Sequence, residues 1–378
     1  MTDKRAQATV ELSRRPDRRP RGDAADSPPL GRRIFSPRNI ASILLTLGLL
    51  YLVYRQVLGL DWSEVWTSVS GASVGLFALA FAVFYGSFPV RGLRWKTLLG
   101  NVGYSGDYDR TDGRPMPSVL GLTRIMYLAW FANCVTVARL GDAYRGYLLK
   151  REAGVSFAVT LGTVLAERLL DLLVLAAMMG AGVLIVFHGS LPTEAAQALA
   201  AGIILSAVGV IGLLAMRRFR WAFERILPKR LHGHYSRLEH GVIDSFRRLP
   251  LLVALSAAGW VLEGAALYAV AAAVGAPVSI AGALVVALAA SLLTAVPFTP
   301  AGLGFTEAGM VFMLGWLGLD VSISTAVTLL FRLINYWSIV VFGLLLYTFG
   351  RNGDRRNQER SDEPGLAIRT HRFFTSRS

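Results

Sequence analysis

Charged residues are rare within the long apolar stretches of the sequence, and those present are Glu167, Arg168, Asp171, Glu263, Glu307 and Arg332. A charged side chain at the centre of a bilayer costs about 2.5–3.5 kcal/mol to insert, so such residues face a bundle interior or a hydrated cavity. Arginine binds phosphate oxygens through two parallel N–H donors and keeps its charge. These residue types therefore predict either internal ion pairs or a site for an anionic headgroup.

Glu167 and Asp171 are four residues apart and share one face of a predicted helix, on which Arg168 can pair with Asp171. Ten uncharged residues precede Glu167, which places it about 15 Å into the helix. Two interpretations stay open for this cluster: an ion network that holds the helix against its neighbours, or a polar groove through which a charged headgroup passes. For Glu263 we favour a structural hydrogen bond.

The segment at 297–304 contains two prolines and two glycines and cannot form a regular helix. Irregular backbone at membrane depth survives only where protein buries it or where it lines a hydrated cavity. A helix is expected to restart after Gly304, and a helix N-terminus favours anions. Glu307 lies in the first turn of that helix, where its carboxylate would cap the dipole. The alternative is a re-entrant turn that only packs.

A second irregular segment, at 133–145, places Arg139 and Arg145 around Gly141-Asp142. These arginines are either headgroup ligands or positive anchors at the cytoplasmic edge of the membrane. Arg332 has apolar sequence on both sides, so anchoring explains it less well. Broken segments at corresponding places in two halves of a chain point to the transport site in repeat-built transporters.

Membrane-spanning helices must position these residues, because the composition is unlike that of a soluble domain. The 378 residues are 53% hydrophobic and 17% charged, against about 25% charged in soluble domains. The formal charge of +14 is concentrated at 1–38, 217–250 and 351–378, beside apolar blocks, which indicates membrane topology rather than nucleic-acid binding. The single Cys134 excludes an intrachain disulfide and a cysteine-based zinc site.

The hydropathy pattern predicts an all-α, polytopic transmembrane helix bundle of about eight spans with two re-entrant or broken segments. Its apolar segments lie at 39–58, 74–90, 118–138, 156–187, 195–216, 251–274, 279–296, 305–317 and 321–349. The second of these ends in a basic cluster of Arg91, Arg94 and Lys96. Residues 217–250 are expected to contain a surface helix, whose apolar face would comprise Trp221, Phe223, Ile226, Leu227 and Leu231.

The distribution of basic residues predicts a multi-pass protein of the cell (inner) membrane with both termini in the cytoplasm. The number of crossings agrees with this orientation only if 118–151 is a re-entrant hairpin that enters and leaves on one side. The domain organisation follows: a disordered basic cytoplasmic tail at 1–38, a transmembrane domain at 39–349 and a basic cytoplasmic tail at 350–378.

The motifs occur in a characteristic order, namely Asn133, Arg139-Leu-Gly-Asp-Ala-Tyr-Arg145, Glu167-Arg168-x-x-Asp171, Pro297-x-x-Pro300-x-Gly302-x-Gly304-x-x-Glu307 and Arg332. In this order they resemble the lysylphosphatidylglycerol synthase transmembrane region family, which consists of flippase-like integral membrane proteins. The resemblance covers about residues 40–349 and implies an inner-membrane helix bundle that acts on lipids or moves them.

Three positions depart from the family pattern: Val137-Ala138 replaces Pro-Gly-like residues, Asp142 replaces a frequent Glu, and Ala301 replaces a frequent Gly. Some relatives carry a soluble aminoacyl-transferase domain after the membrane region, whereas only a basic tail follows residue 350 here. The resemblance therefore implies no lysyl transfer by this chain alone.

We predict a transporter-like protein that binds and translocates an anionic phospholipid or a polyprenyl-phosphate-linked lipid, without catalytic residues, metal or cofactor. The predicted headgroup ligands are Asn133, Arg139, Arg145, Glu167, Arg168, Asp171, Pro300, Gly302, Gly304, Glu307 and Arg332. The alternatives are a membrane-embedded glycosyl or lipid transferase and a non-catalytic partner in a lipid or cell-envelope biosynthesis complex. Membrane lipids, and not nucleic acid, are the expected partners. A second copy of the chain or a biosynthetic enzyme stays open as a protein partner.

Overall fold

A computed structural model describes residues 61–104, 115–136, 140–187, 193–219, 225, 228–295 and 299–349. Several predictions concern residues outside these ranges. They are the first span at 39–58, the two basic tails, the headgroup ligand Arg139, and the first four residues of the predicted apolar face, Trp221, Phe223, Ile226 and Leu227.

Every regular element among the described residues is helical, which confirms the predicted all-α class. The long helices in chain order are α1 (Trp62–Ser70), α2 (Val74–Asn101), α3 (Val119–Val135), α4 (Gly141–Ala153), α5 (Phe157–Phe187), α6 (Thr193–Arg218), α7 (His232–Ile243), α8 (Leu249–Val274), α9 (Ile280–Ala295), α10 (Phe305–Trp316) and α11 (Val321–Phe349). Helix α11 passes through a π-helical turn at Leu333–Trp337.

Four helical stretches in the described part of the chain are long and apolar enough to cross a membrane, at Val74–Asn101, Phe157–Val186, His232–Val274 and Val321–Phe349. Shorter apolar helices accompany them, and α2 packs along α8. A segment of about 20 apolar residues spans the hydrocarbon core of a bilayer. The protein is an all-α, multi-pass membrane protein.

Helices α3 and α4 form the predicted hairpin, and they have 17 and 13 residues. At 1.5 Å per residue α4 is about 20 Å long, too short to cross a hydrocarbon layer of about 30 Å. The Gly141 N–H donates to Asn133 Oδ1 at 2.8 Å, and a Cβ atom on Gly141 would collide with the Ala129 carbonyl oxygen. This close approach holds the two helices in a hairpin.

The second broken segment lies between α9 and α10, as predicted. A 3₁₀ turn at Pro300–Gly302 follows α9, and positive φ angles occur at Ala301 (48°), Gly302 (69°) and Gly304 (88°). Glycine adopts this left-handed region without strain, whereas alanine does not. Helix α10 then begins at Phe305.

The second span is longer than predicted, because α2 continues to Asn101 through Pro89. Arg91 and Arg94 therefore lie inside the bundle, where 3% and 1% of their surfaces are exposed, and they are not anchors at its edge. Only Lys96 of the predicted basic cluster is exposed. Local sequence placed these arginines at the end of the span because the carboxylates that pair with them lie on distant helices.

Most of the predicted surface helix lies outside the described residues, and the structure describes another helix within residues 217–250. Helix α7 begins at His232, packs against α5, and is not an isolated surface element. Gly162 and Gly241 meet where the two helices cross, and a Cβ atom on either would collide with the opposite backbone. Leu231, which was expected on an apolar face, is exposed.

Two clusters of buried apolar side chains lie on either side of the buried arginines of α2. Along α2, Phe84 and Phe88 belong to one cluster, whereas Trp95 and Leu98 belong to the other. Arg91 and Arg94 lie between these pairs in the sequence. On α2 the buried arginines therefore lie between two apolar clusters. We use the term polar layer for the buried charged residues Arg91, Arg94, Arg145, Glu167, Asp171, Glu263 and Arg332.

Candidate functional site

Arg94 is the centre of the polar layer, although the sequence indicated that it lies at the end of the second span. Its guanidinium donates to both carboxylate oxygens of Asp171, with the Nη2–Oδ2 distance at 3.0 Å, and to Glu167 Oε1 at 2.9 Å. It also donates to Ser256 Oγ at 2.7 Å, and that hydroxyl donates to Asp171 Oδ1 at 2.6 Å. These contacts connect α2, α5 and α8.

Arg145 joins the α3–α4 hairpin to the same cluster. It donates to Glu167 Oε2 at 2.7 Å, and its guanidinium carbon lies 3.6 Å from the centre of the Trp95 ring. Only 2% of Arg145 is exposed. Its charge is therefore used inside the protein, and neither an edge anchor nor a freely accessible ligand describes its position.

Arg168 pairs with Asp142 of the hairpin and not with Asp171. Arg168 Nη2 lies 2.8 Å from Asp142 Oδ1, and Nε lies 3.3 Å from Oδ2. The predicted pair with Asp171, one helical turn away, is wrong because Arg94 holds both Asp171 oxygens. About a third of the Arg168 side chain is exposed (34%), against 1% for Arg94.

Arg91 pairs with Glu263 on α8, with Nη2 2.8 Å from Oε2. The other carboxylate oxygen accepts a hydrogen bond of 2.8 Å from Ser291. The guanidinium carbon of Arg91 lies 5.1 Å from the Trp130 ring centre and 4.7 Å from that of Trp260. Glu263 thus makes a hydrogen bond and an ion pair, consistent with the structural role predicted for it.

Glu307 connects the second broken segment to α11. Its Oε2 accepts the Gly304 N–H at 2.7 Å, and its Oε1 accepts from Arg332 Nε at 2.6 Å. The carboxylate therefore caps α10, as the sequence indicates, and also neutralises Arg332. Arg332 is 3% exposed and lies over the Tyr336 ring in the π-helical turn.

A cavity of about 190 Å³ lies within the polar layer. It brings together Arg168, Arg332 and Thr299, which are far apart in the sequence. Its other polar lining residues are Arg91, Asn133, Thr136, Asp171, Glu263, Ser291, Thr294 and Asn335. Such a wall, with three guanidinium groups and two carboxylates, suits an anionic group better than a cationic one.

Not every predicted ligand lines this cavity. Asn133, Arg168, Asp171 and Arg332 do, together with Ala301 of the broken segment. The other predicted ligands that the structure describes belong to the polar layer or to the broken segment. Arg145 and Glu167 form an ion pair. Gly302, Gly304 and Glu307 belong to the broken segment and its cap. Pro300 belongs to the 3₁₀ turn.

Sequence patterns did not indicate Arg91, Trp130 and Trp260 as wall residues or Arg94 as the central charge. Arg91 and Arg94 are three residues apart inside an apolar helix, and this spacing could have indicated a shared buried face. Among the described residues, no group of three His, Cys, Asp or Glu side chains is placed to hold a metal ion.

Comparison with known proteins gives relatives of the same kind. A UPF0104 membrane protein of Methanocaldococcus jannaschii is 33% identical over 218 residues, which cover 57% of this chain and 93% of that protein. A UPF0104 membrane protein of Methanothermobacter thermautotrophicus is 23% identical over 325 residues, covering 80% of this chain and 90% of that protein. The glycosyltransferase AglD of Haloferax volcanii is 26% identical over 233 residues, covering 55% of this chain and 35% of that protein.

The family model described as the lysylphosphatidylglycerol synthase TM region matches residues 39–343. This range contains both broken segments, the polar layer and every residue of the cavity wall. The ordered motifs, the all-α membrane fold and the relatives agree with this match. The chain belongs to the lysylphosphatidylglycerol synthase TM region family.

Proposed function

We propose that the protein binds the phosphate of an anionic phospholipid or a polyprenyl-phosphate-linked lipid in the central cavity and moves that headgroup across the membrane. The observation that carries the proposal is the meeting of Arg168, Arg332 and the Thr299 segment in one cavity inside the bundle. A guanidinium binds phosphate oxygens bidentately and remains charged at any physiological pH.

The ion pairs differ in how easily an incoming phosphate can replace the carboxylate. The Arg168–Asp142 pair is partly exposed, at 34% and 25% of the two side chains, so breaking it costs about 0–1 kcal/mol. Glu307, the partner of Arg332, is 19% exposed. The pairs of Arg94 and Arg145 are almost fully buried, and opening such pairs costs several kcal/mol. By exposure, Arg168 is thus the exchangeable site, whereas the Arg332 side chain is itself 4% exposed and only its partner Glu307 is partly accessible.

The broken segment supports the same role for Arg332. Helix α10 has 12 residues, and its N-terminus meets this arginine through Glu307. Helix N-termini favour anions through their unpaired N–H groups and the helix dipole. A phosphate that replaces the Glu307 carboxylate would meet both the guanidinium and the start of α10.

The test is a transbilayer assay with the purified chain in vesicles that contain a fluorescent anionic phospholipid. We expect Arg168→Ala and Arg332→Ala each to slow lipid movement at least tenfold. Lys96→Ala serves as the control, because Lys96 is an exposed basic residue on α2 outside the cavity wall. Movement at the wild-type rate in Arg332→Ala, with the protein still folded, would contradict the proposal.

A membrane-embedded transferase is the second candidate, and one observation favours it. The chain is 26% identical over 233 residues to the glycosyltransferase AglD. A radiolabelled sugar-nucleotide donor, incubated with the purified chain and lipid acceptors, tests this candidate. Label in the lipid fraction, lost in Asp171→Asn, would support a transferase; an unlabelled lipid fraction would dismiss it.

We also propose that the chain lies in the cell inner membrane with both termini in the cytoplasm. The basic segments at 1–38, 217–250 and 351–378 support this orientation through the positive-inside rule. A cysteine introduced at Ser378 should react with a membrane-impermeant maleimide only after the cells are opened. Labelling of intact cells would reverse the orientation.

A further inference from the structure

Every oxygen of the two carboxylates in the cavity wall already accepts a hydrogen bond. Asp171 Oδ1 accepts from Arg94 and Ser256, and its Oδ2 accepts from Arg94. Glu263 Oε2 accepts from Arg91, and its Oε1 accepts from Ser291. Each carboxylate already neutralises a buried guanidinium, so a cationic ligand would compete with that arginine for the same negative charge.

The polar atoms of the wall that lack a hydrogen-bond partner are donors, whereas the carboxylate oxygens are acceptors. Three described side chains of the wall carry a buried nitrogen without a hydrogen-bond partner, and these nitrogens are Arg91 Nε, Trp260 Nε1 and Arg332 Nη2. All three are N–H donors. The side chains are 3%, 8% and 3% exposed, and the three nitrogens are enclosed by protein atoms. They therefore meet a ligand in the cavity only when the side chains turn toward it, and until then each donor is unfavourably unpaired.

We infer that the cavity recognises a headgroup only through acceptor oxygens, as in a phosphate mono- or diester, and makes no specific contact with an amine or another cationic part of it. This inference rests on the proposed function and narrows its substrate class. A phosphate supplies several acceptor oxygens to donors that lack partners, whereas an ammonium group supplies only donors. An aminoacyl group on the lipid therefore adds nothing to binding.

A competition experiment tests the inference with the full chain in maltoside micelles, using a fluorescent phosphatidic acid as the probe. We expect unlabelled phosphatidic acid to compete at least tenfold better than a phosphate-free cationic diacyl lipid with a trimethylammonium headgroup. Phosphatidylglycerol and its lysyl ester form the matched pair, because they differ only in the aminoacyl group. The lysyl ester should compete no better than phosphatidylglycerol.

Two variants examine the donors themselves. Trp260→Phe removes one N–H and retains an aromatic ring beside Arg91, so we expect phosphatidic acid to bind about threefold to tenfold more weakly without a lower unfolding midpoint. Arg332→Gln should weaken it at least tenfold. Trp66→Phe is the matched control, because Trp66 is 71% exposed and lies outside the cavity wall; its affinity should equal that of the wild type.

Three results would overturn the inference: tighter binding of the lysyl ester, equal competition by the cationic lipid, or unchanged affinity in Trp260→Phe. If one of them occurs while vesicles still show movement that depends on Arg332, only this inference fails and the proposed function stands. If no lipid competes and no lipid moves, both fail.

Discussion

At the scale of single residues, the broken segment contains a conformation that its side chain does not favour. Ala301 has φ 48° and ψ 31°, and a left-handed conformation costs a non-glycine residue about 1–2 kcal/mol. The family pattern frequently has glycine at this position. The departure noted in the sequence is therefore a local strain in this chain, at a residue of the cavity wall.

We expect Ala301→Gly to stabilise the protein by up to about 1 kcal/mol, since relief of strain is partly offset by the greater freedom of glycine in the unfolded chain. The unfolding midpoint in detergent measures this change. Ala287→Gly is the control: Ala287 is buried within α9, where glycine costs about 1 kcal/mol. A lower midpoint for both variants would show that Ala301 is not strained.

At the scale of elements, the α3–α4 hairpin depends on one close contact. Gly141 begins α4 directly against the end of α3, and Asn133 accepts its N–H. The hairpin carries Asp142 and Arg145 to their partners on α5. A change at its tip therefore alters both ion pairs together.

We expect Gly141→Ala to destabilise the protein by about 1–3 kcal/mol, the usual range for overpacking, and to disturb the Arg168–Asp142 pair. Gly86→Ala is the matched control, because a Cβ atom on Gly86 has open space around it. Within helix α2 that substitution should be neutral or should stabilise by about 1 kcal/mol. Comparable losses of stability in urea titrations of the two variants would refute the close-contact argument.

At the scale of the whole molecule, one charged cluster connects helices that are distant in the chain. Arg94 on α2 contacts Glu167 and Asp171 on α5 and Ser256 on α8, and Arg145 on α4 shares Glu167. Arg168 lies at the margin of this cluster, in a more exposed pair. Burial therefore separates Arg94 and Arg145, which hold the bundle together, from Arg168, which can exchange its partner.

We expect Arg94→Gln to destabilise the bundle by about 3–5 kcal/mol, because it leaves two buried carboxylates with too little positive charge. Arg168→Gln, the matched variant at the exposed pair, should cost at most about 1 kcal/mol. Equilibrium unfolding in mixed micelles gives both values. Equal destabilisation by the two variants would mean that burial does not rank these pairs.

The sequence predicts the features that depend on local physics. Apolar runs of about 20 residues indicate spanning helices, and the prolines and glycines at 297–304 indicate the break before α10. The position of Glu307 three residues after Gly304 predicts its capping contact, since helical geometry brings the two together.

Only the tertiary structure decides which charges pair. Arg94 and Asp171 are separated by 77 residues, and Arg91 and Glu263 by 172. Helical periodicity relates residues three or four apart, and it therefore assigned Asp171 to Arg168. Partner choice depends instead on which helices pack together and how deeply each pair is buried. The sequence by itself determined a membrane helix bundle with charges inside it, whereas packing decided that these charges surround a cavity.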